Sequence, residues 1–303
     1  MELLKVLESI RSPFLNEIMS IITVLGDETF FMVVGMIMLW CVSKKWGYRL
    51  MLIGMTGTAF NQLLKYIFLI PRPWVLDPTF TIVESAREGA PGYSFPSGHT
   101  HSAVSVFGTL AMWMKDKVMT VICILMIALV AFSRMYLGVH TPLDVGVSLV
   151  LGTVLVVGMC RLFEKTEKSS KSKIAVGMII LAIIAAVIVY MYAAPVTERN
   201  MPEVDLHGKE SLWKLLGASA GMMLGWLIDE RRTHFRTEAP LWAQIIKVAG
   251  GLLIVLAVKS GLKPVMVSLL GDAPLTHALR YFLMASAGAA LWPMTFKYFA
   301  PKQ

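Results

Sequence analysis

The sequence predicts an all-α fold, a polytopic bundle of transmembrane helices. Apolar residues make up 56% of the 303 residues and charged residues only 16%, and the mean hydropathy is +0.66. The apolar residues form blocks that approach the roughly 20 residues a helix needs to cross a bilayer. This composition excludes an ordinary soluble domain.

About nine spans are expected, preceded by N-terminal interfacial helices. Residues 1–25 have the pattern of one or two amphipathic segments that lie at the membrane surface. The apolar run 14–25 is short for a span, although a span there stays open. The predicted spans cover residues 28–43, 48–69, 98–115, 117–137, 141–163, 174–194, 211–228, 243–260 and 275–297.

The basic residues indicate the orientation of the chain. A net charge of +8 suggests nucleic acid in a soluble protein, but these residues flank apolar blocks, so no nucleic-acid partner is expected. The positive-inside rule places the C-terminus in the cytoplasm and the N-terminus outside. The basic residues on the cytoplasmic side are Lys44, Lys45, Arg49, Lys115, Lys117, Arg161, Lys165, Lys168, Lys171, Lys173, Arg231, Arg232, Arg236, Lys297 and Lys302.

A polar, charged segment divides the chain at residues 164–173. We therefore predict a core of five spans with its interfacial segment at 1–163, a cytoplasmic linker at 164–173, and a C-terminal extension of four spans at 174–303. Several polar residues near the outer face of the second half are interpreted as ordinary loop and helix-end residues. They are Glu198, Arg199, Glu203, Asp205, His207, His277 and Arg280.

Three polar stretches fall on the same, extracytoplasmic face. Lys65 and Arg72 close the second span, residues 96–99 open the third, and residues 133–144 join the fourth to the fifth. Ionisable groups at membrane depth are costly and therefore indicate function. Nothing in the span count forces this coincidence, so we expect the three stretches to form one site.

Lys65, Arg72 and Arg134 give the extracytoplasmic face an excess of positive charge. Arginine forks bind phosphate oxygens through paired hydrogen bonds, and lysine adds a point charge. Lys65 alone could be a snorkelling anchor at a helix end that precedes Pro71 and Pro73. Arg134 lies between two spans, where a functional role is favoured over an anchor.

Residues 96–99 indicate a helix start that suits an anion. Ser97 is a good N-cap, and the free N–H groups beside it favour negative charge. Gly98 permits a close backbone approach, and His99 at the rim could donate a proton.

The third stretch combines a helix start with a histidine. Thr141, Pro142 and Asp144 match a capping box, which explains Asp144 without chemistry. It does not explain His140, and a histidine beside a carboxylate on a cationic face is a candidate nucleophile. A metal held by His99, His140 and Asp144 is disfavoured by the three nearby cations.

Together the stretches resemble the tripartite signature of the type 2 phosphatidic acid phosphatase superfamily. The resemblance covers residues 28–163, and residues 174–303 lie outside the signature. The expected nine spans with an outside N-terminus resemble glucose-6-phosphatase-like members. The matching pattern is Lys65, six residues, Arg72-Pro73; then Pro96-Ser97-Gly98-His99; then Ser133-Arg134, five residues, His140, three residues, Asp144.

The resemblance implies a metal-independent hydrolase that transfers phosphoryl groups through a phosphohistidine. It implies that His140 attacks phosphorus, that Asp144 orients it, and that His99 protonates the leaving oxygen and then activates water. No metal or other cofactor is expected, and His101 is interpreted as an ordinary polar residue of the first helical turn. The residues expected to hold the phosphate oxygens are Lys65, Arg72, Ser97, Gly98 and Arg134.

The expected substrate is a lipid phosphate or diphosphate in a bacterial plasma membrane. The loop 74–95 mixes aromatic and charged residues, and we predict that it roofs the site at headgroup level, where an amphipathic phosphate ester would bind. Polyprenyl diphosphates, phosphatidate, phosphatidylglycerophosphate and sphingoid phosphates are candidates. Recycling of a polyprenyl carrier fits an outward-facing site best.

Three alternatives stay open. A protein that binds or transports lipid phosphates needs the cations but not His140 together with His99. A vanadate-dependent peroxidase has a similar site in related families, and the membrane spans argue against it. A sugar-phosphate phosphatase is supported only by the nine-span resemblance.

Overall fold

The computed structural model describes residues 1–167 and 169–299, and every regular element within them is helical. The described residues contain thirteen α-helices, and several of these are extended by a π-helical or 3₁₀ turn. In order they are α1 (Glu2–Ser9), α2 (Pro13–Thr23), α3 (Glu28–Ile37), α4 (Lys44–Phe68), α5 (Pro73–Leu76), α6 (Gly98–Ala103), α7 (Thr109–Met114), α8 (Lys117–Tyr136), α9 (Pro142–Thr166), α10 (Ser170–Ala193), α11 (Pro202–Ile228), α12 (Leu241–Leu270) and α13 (Pro274–Ser286).

The predicted all-α transmembrane class is confirmed, but the count of nine spans is not. Among the described residues, α8 to α12 are long and apolar enough to cross a membrane. A sixth span results if α2 and α3, which meet at a 51° bend, count as one. The other predicted stretches are helical but short, broken or polar. The third is divided into α6, a π-helical turn and α7, and α4 has basic residues in its first and last turns.

The N-terminal segment forms two helices, α1 and α2, as expected. Leu4 and Leu7 of α1 pack with Phe80 in a buried cluster. Between the helices, Arg11 donates from Nε to the carbonyl of Tyr136 at 2.9 Å and from Nη1 to the carbonyl of Thr81 at 2.8 Å. These contacts hold the loop 74–95 against the C-terminal end of α8.

The helices group into two compact units, each made of several stretches of the chain. The predicted linker is largely helical, since α9 continues to Thr166 and α10 begins at Ser170; residue 168 lies outside the described residues. The division into core, linker and extension stays a prediction. The first unit comprises residues 1–32, 57–162 and 193–208, and the second comprises 33–56, 163–192 and the chain from 209 onward.

Within the first unit, the beginning of α6 is held against the first turns of α9. The amide of Ser97 donates to the carbonyl of Asp144 at 3.2 Å. The hydroxyl of Ser148 donates to the carbonyl of Ser97 at 2.9 Å. This pairing brings the second and third polar stretches together.

Within the second unit, glycines allow α11 and α13 to pack closely. A Cβ added at Gly217 would lie 1.9 Å from the carbonyl oxygen of Ala278, and one at Gly221 would lie 2.5 Å from that of Phe282. Small residues four apart are a common device for bringing membrane helices into contact. A larger side chain at either position would push the two helices apart.

Candidate active site

Arg72 lies at the N-cap of α5 and is almost fully enclosed by backbone carbonyls. Its Nε donates to the carbonyl of Gly92 and its Nη2 to that of Pro91, both at 2.9 Å. Its Nη1 donates to the carbonyl of Val139 at 3.0 Å and lies 2.9 Å from Nε2 of His140. Burial lowers the pKa of the guanidinium to about 10, so Arg72 keeps its positive charge at neutral pH.

Lys65, in the last turn of α4, also bonds to the loop 74–95. The side chain is 8% exposed, and its Nζ donates to the carbonyl of Tyr93. The phenol of Tyr93 donates to Oδ1 of Asp205 and accepts from the amide of Met201, each at 2.9 Å. Burial raises the pKa of this phenol to about 12, so it remains a donor. Asp205 therefore supports the loop that holds Lys65, a role that its position at a helix end did not indicate.

The second stretch begins α6 as predicted. The hydroxyl of Ser97 caps the helix by accepting from the amide of Thr100 at 3.4 Å. Gly98 is the first helical residue, and a Cβ there would meet its nearest neighbour at 4.0 Å. The partly buried imidazole of His99 faces the loop, since a Cβ at Gly89 would lie 3.7 Å from its Nε2.

Arg134, in the last turn of α8, is 1% exposed. Its Nη1 donates to the hydroxyl of Thr23 at 2.7 Å, and its Nη2 donates to the carbonyl of Gly89 at 3.4 Å. Its Nε is buried and, in the part of the chain that the structure describes, has no hydrogen-bond partner. A buried donor of this kind is costly unless a ligand accepts from it.

His140 and Asp144 form the third stretch at the beginning of α9. The chain reaches His140 through Gly138, whose φ of 84° favours glycine. The carboxylate oxygen Oδ2 of Asp144 lies 3.5 Å from Nδ1 of His140. The same oxygen accepts from the amide of Thr141 at 2.7 Å, and the hydroxyl of Thr141 accepts from the amide of Asp144 at 3.3 Å. The predicted capping box is therefore present, and it also aims the carboxylate at the imidazole.

The electrostatic surroundings of His140 keep it neutral. It lies in the connection between α8 and α9 and is 1% exposed. Burial, followed by the charges of Arg72, Arg134 and Lys65, holds the pKa of its imidazole well below the ordinary value. A neutral imidazole has a free lone pair, which a nucleophile requires. His99 also interacts electrostatically with His140.

Two further residues define what belongs to the site. The hydroxyl of Ser94 donates to Oδ2 of Asp144 at 2.6 Å, a contact that no sequence motif indicated. His101 points elsewhere: its Nε2 lies 3.3 Å from the hydroxyl of Ser105, and its ring packs on Gly57. The site is thus a buried, cationic cluster around a neutral histidine with a carboxylate behind it. Such a cluster can bind an anion and attack it.

Comparison with known protein families gives two matches. A family described as PAP2 superfamily matches residues 46–168. A second, described as PAP2 superfamily phosphatase, transmembrane extension, matches residues 213–303. No solved structure matches the chain significantly.

The chain is also similar to curated lipid phosphatases. Phosphatidylglycerophosphatase B of Bacillus subtilis is 35% identical over 48% of this chain and 74% of its own length. Undecaprenyl-diphosphatase of Sulfolobus acidocaldarius is 28% identical over 50% of this chain and 72% of its own length. A probable sphingosine-1-phosphate phosphatase of Dictyostelium discoideum is 26% identical over 78% of this chain, which spans only 58% of that protein.

Proposed function

Because the chain belongs to the PAP2 superfamily, as its motifs predicted, we propose that it is an integral-membrane phosphatase that hydrolyses a lipid phosphate or diphosphate. The proposal rests chiefly on one observation. Nδ1 of His140 lies 3.5 Å from the carboxylate of Asp144, and Nη1 of Arg72 packs against the ring, 2.9 Å from Nε2 and 3.5 Å from Nδ1. That arrangement supports an imidazole with its proton on Nδ1 and its lone pair on Nε2, beside a group that binds phosphate.

In the first chemical step, Nε2 of His140 attacks phosphorus and the bond from phosphorus to the leaving oxygen breaks. His99, which takes up a proton when the negatively charged substrate offsets the three cations around it, gives that proton to the leaving oxygen, which departs as the lipid alcohol or, from a diphosphate, as the lipid monophosphate. Asp144 stabilises the imidazolium that forms as His140 becomes phosphorylated. In the second step His99 takes a proton from water, the water oxygen attacks phosphorus, and the P–N bond breaks to release phosphate and regenerate His140.

The cations stabilise the charge that develops on the non-bridging oxygens. Lys65, Arg72 and Arg134 are each less than 10% exposed, and charges act more strongly where water is excluded. The unpartnered Nε of Arg134 is a donor for one of these oxygens. The amides at the beginning of α6, beside Ser97 and Gly98, supply further donors to an anion.

A lipid is the favoured substrate because the site lies among membrane helices. The curated relatives are named for phosphatidylglycerophosphate, undecaprenyl diphosphate and sphingosine 1-phosphate, which all combine a phosphate with a long apolar tail. We place the site on the extracytoplasmic face of a bacterial plasma membrane, since the positive-inside rule assigns the opposite ends of these helices to the cytoplasm. Recycling of a polyprenyl carrier is the preferred role within this class.

The first test measures phosphate release by the purified protein from a panel of lipid phosphates, with a soluble sugar phosphate beside them. His140→Ala should abolish release, and His207→Ala, which changes an exposed histidine of the same unit, should not. With phosphorus-labelled substrate, a base-stable and acid-labile label should appear on the wild-type protein and be absent from His140→Ala. Release that survives in His140→Ala would show that the nucleophile is misassigned. Lipid binding without release by the wild-type protein would favour transport instead.

A further inference from the structure

The second unit contains a cavity of about 260 Å³ that the proposed reaction does not use. Three aromatic side chains, those of Tyr48, Phe163 and Trp226, form part of its lining. The rings of Tyr48 and Trp226 stack at 5.8 Å, and those of Phe163 and Trp226 meet edge to face at 6.3 Å. These contacts give the cavity a fixed wall.

Most charges around the cavity are balanced in pairs. Lys44 pairs with Asp229 at 2.9 Å, and Lys173 pairs with Glu230. In each pair one cation faces one carboxylate, so neither leaves a net charge. His234, which also lines the cavity, is exposed.

The remaining group has one positive charge more than it has negative charges. Glu167 accepts from both Lys45 and Arg49, so a single carboxylate faces two cations. Of the two cations, Arg49 is only 4% exposed, whereas the side chain of Lys45 is 46% exposed. The excess positive charge inside the cavity is therefore that of Arg49. The buried part of the cavity is therefore electropositive.

Arg49 also has an unused donor at this position. Its Nη1 is buried and, within the residues that the structure describes, has no hydrogen-bond partner. Its Nη2 makes only a long contact of 3.4 Å with Glu167. The guanidinium stacks on Trp46 at 4.7 Å and on Phe163 at 5.9 Å, so its direction is set before any ligand arrives.

We propose that this cavity is a second anion site, which binds a phosphate group through Arg49. A guanidinium fork with spare donors matches phosphate oxygens. The volume is below the roughly 300–1,000 Å³ of typical ligand pockets, so the cavity holds a phosphate or a lipid headgroup but not acyl chains. Lys44, Lys45 and Arg49 lie in the first turns of α4, at the end of the helix that the positive-inside rule assigns to the cytoplasm, where anionic headgroups concentrate.

The test measures how fast an amine-reactive reagent modifies individual lysines of the full chain in detergent, read by peptide mass spectrometry. Inorganic phosphate should protect Lys45 and Lys173, which line the cavity, and should leave Lys5 unprotected. Lys5 is a suitable internal control because its side chain is 51% exposed and belongs to the first unit. Because the readout is local, phosphate bound at the proposed active site does not contribute to it.

Two variants separate ligand binding from folding. Arg49→Gln should abolish the protection of Lys173, but it also removes the stacking on Trp46 and could unfold the protein. Lys45→Gln removes the same excess charge from a half-exposed position, and it should weaken phosphate protection of Lys173 by at least about tenfold. Equal protection of Lys173 in the wild type and in folded Lys45→Gln would overturn the proposal.

The source of the phosphate is decided by repeating the labelling in nanodiscs. Protection in phosphatidylglycerol but not in phosphatidylcholine, without added phosphate, would support a lipid headgroup. Protection that requires added phosphate in both would support a free phosphate. Absence of protection under every condition would refute an anion site.

Discussion

Nη1 of Arg72 lies 2.9 Å from Nε2 of His140 and 3.5 Å from its Nδ1, so a cation expected to hold phosphate packs against the face of the imidazole expected to attack it. The Nε and Nη2 of Arg72 donate to carbonyls of the loop 74–95, and its Nη1 donates to the carbonyl of Val139. The lone pair of Nε2 lies in the plane of the ring, so contact of Nη1 with the ring face leaves that lone pair free to attack a bound phosphate.

This relationship predicts a shift in the pH profile. The charge of Arg72 contributes to the low pKa of His140, so Arg72→Gln should raise that pKa, although burial still holds it down. The acid limb of kcat/KM, which reports groups of the free enzyme, should therefore move to higher pH. The rate should also fall by about 10²–10³-fold, since a donor to the transition state is lost. Arg87→Gln is the control, because it removes an equal charge from an exposed position in the same loop. An unchanged acid limb in Arg72→Gln would mean that another group titrates.

Asp144→Asn should preserve the fold and abolish most activity. The amide oxygen can still accept from the amide of Thr141, so the helix cap survives. The negative charge behind His140 is lost, and the comparable change in a catalytic triad lowers kcat by about 10⁴-fold. Phosphate release measures the loss of activity, and thermal unfolding tests whether the fold is preserved.

Ser94→Ala should have a smaller effect than Asp144→Asn. It removes one hydrogen bond to the carboxylate of Asp144, and a hydrogen bond to a charged group contributes about 1.5–3 kcal/mol. We expect a loss of kcat of roughly 10- to 100-fold, measured with the same lipid substrate. A loss as large as that of Asp144→Asn would indicate that Ser94 contacts the substrate itself.

Gly98→Ala should yield a folded protein with low activity. A Cβ at Gly98 meets its nearest protein atom at 4.0 Å, so the protein has room for the methyl group. The methyl group would instead occupy the space beside the α6 amides where phosphate is proposed to bind, and a displacement of about 1 Å costs roughly 10²-fold in rate. Gly146→Ala is the matched control, since a Cβ there has no neighbour within 4 Å; it should leave kcat unchanged. Full activity in Gly98→Ala would remove Gly98 from the site.

Chelation and vanadate test the proposed metal-independent mechanism. A chelator should leave phosphate release intact, because in the proposed mechanism Lys65, Arg72 and Arg134 balance the charge on phosphate without a metal ion. Vanadate, whose five-coordinate form resembles the transferring phosphoryl group, should inhibit competitively. Activity that a chelator removes and a divalent ion restores would contradict this mechanism.

The proposed topology is tested by placing probes at two positions. A reporter fused to the C-terminus should be cytoplasmic, as the positive-inside rule predicts. The second probe is the substitution Glu88→Cys, in an exposed part of the loop 74–95. Its thiol should react with an impermeant reagent from outside intact cells, and the parent protein is the background control. Labelling of Glu88→Cys only after lysis would place the site on the cytoplasmic face.

The features that sequence reasoning located are those with local signals. Apolar blocks predicted the helices, and the spacing of Thr141 and Asp144 predicted the capping box that the structure contains. The span count was less predictable, because the π-helical turn after α6 and the bend between α2 and α3 leave no clear trace in composition. The close packing at Gly217 and Gly221 does have a local signal, because two glycines four residues apart are typical of helices in close contact.

The all-α membrane class, the family, and the residues proposed for phosphate and histidine chemistry could all be predicted from the sequence, because charged groups among apolar blocks and short motifs are visible without a fold. How those residues are held depends on tertiary contacts. Arg72 and Lys65 bond to carbonyls of the loop 74–95, which no side-chain pattern encodes. Tyr93 and Asp205 meet although 112 residues separate them. Contacts between distant segments depend on how the helices pack, and helix packing is a property of the whole fold.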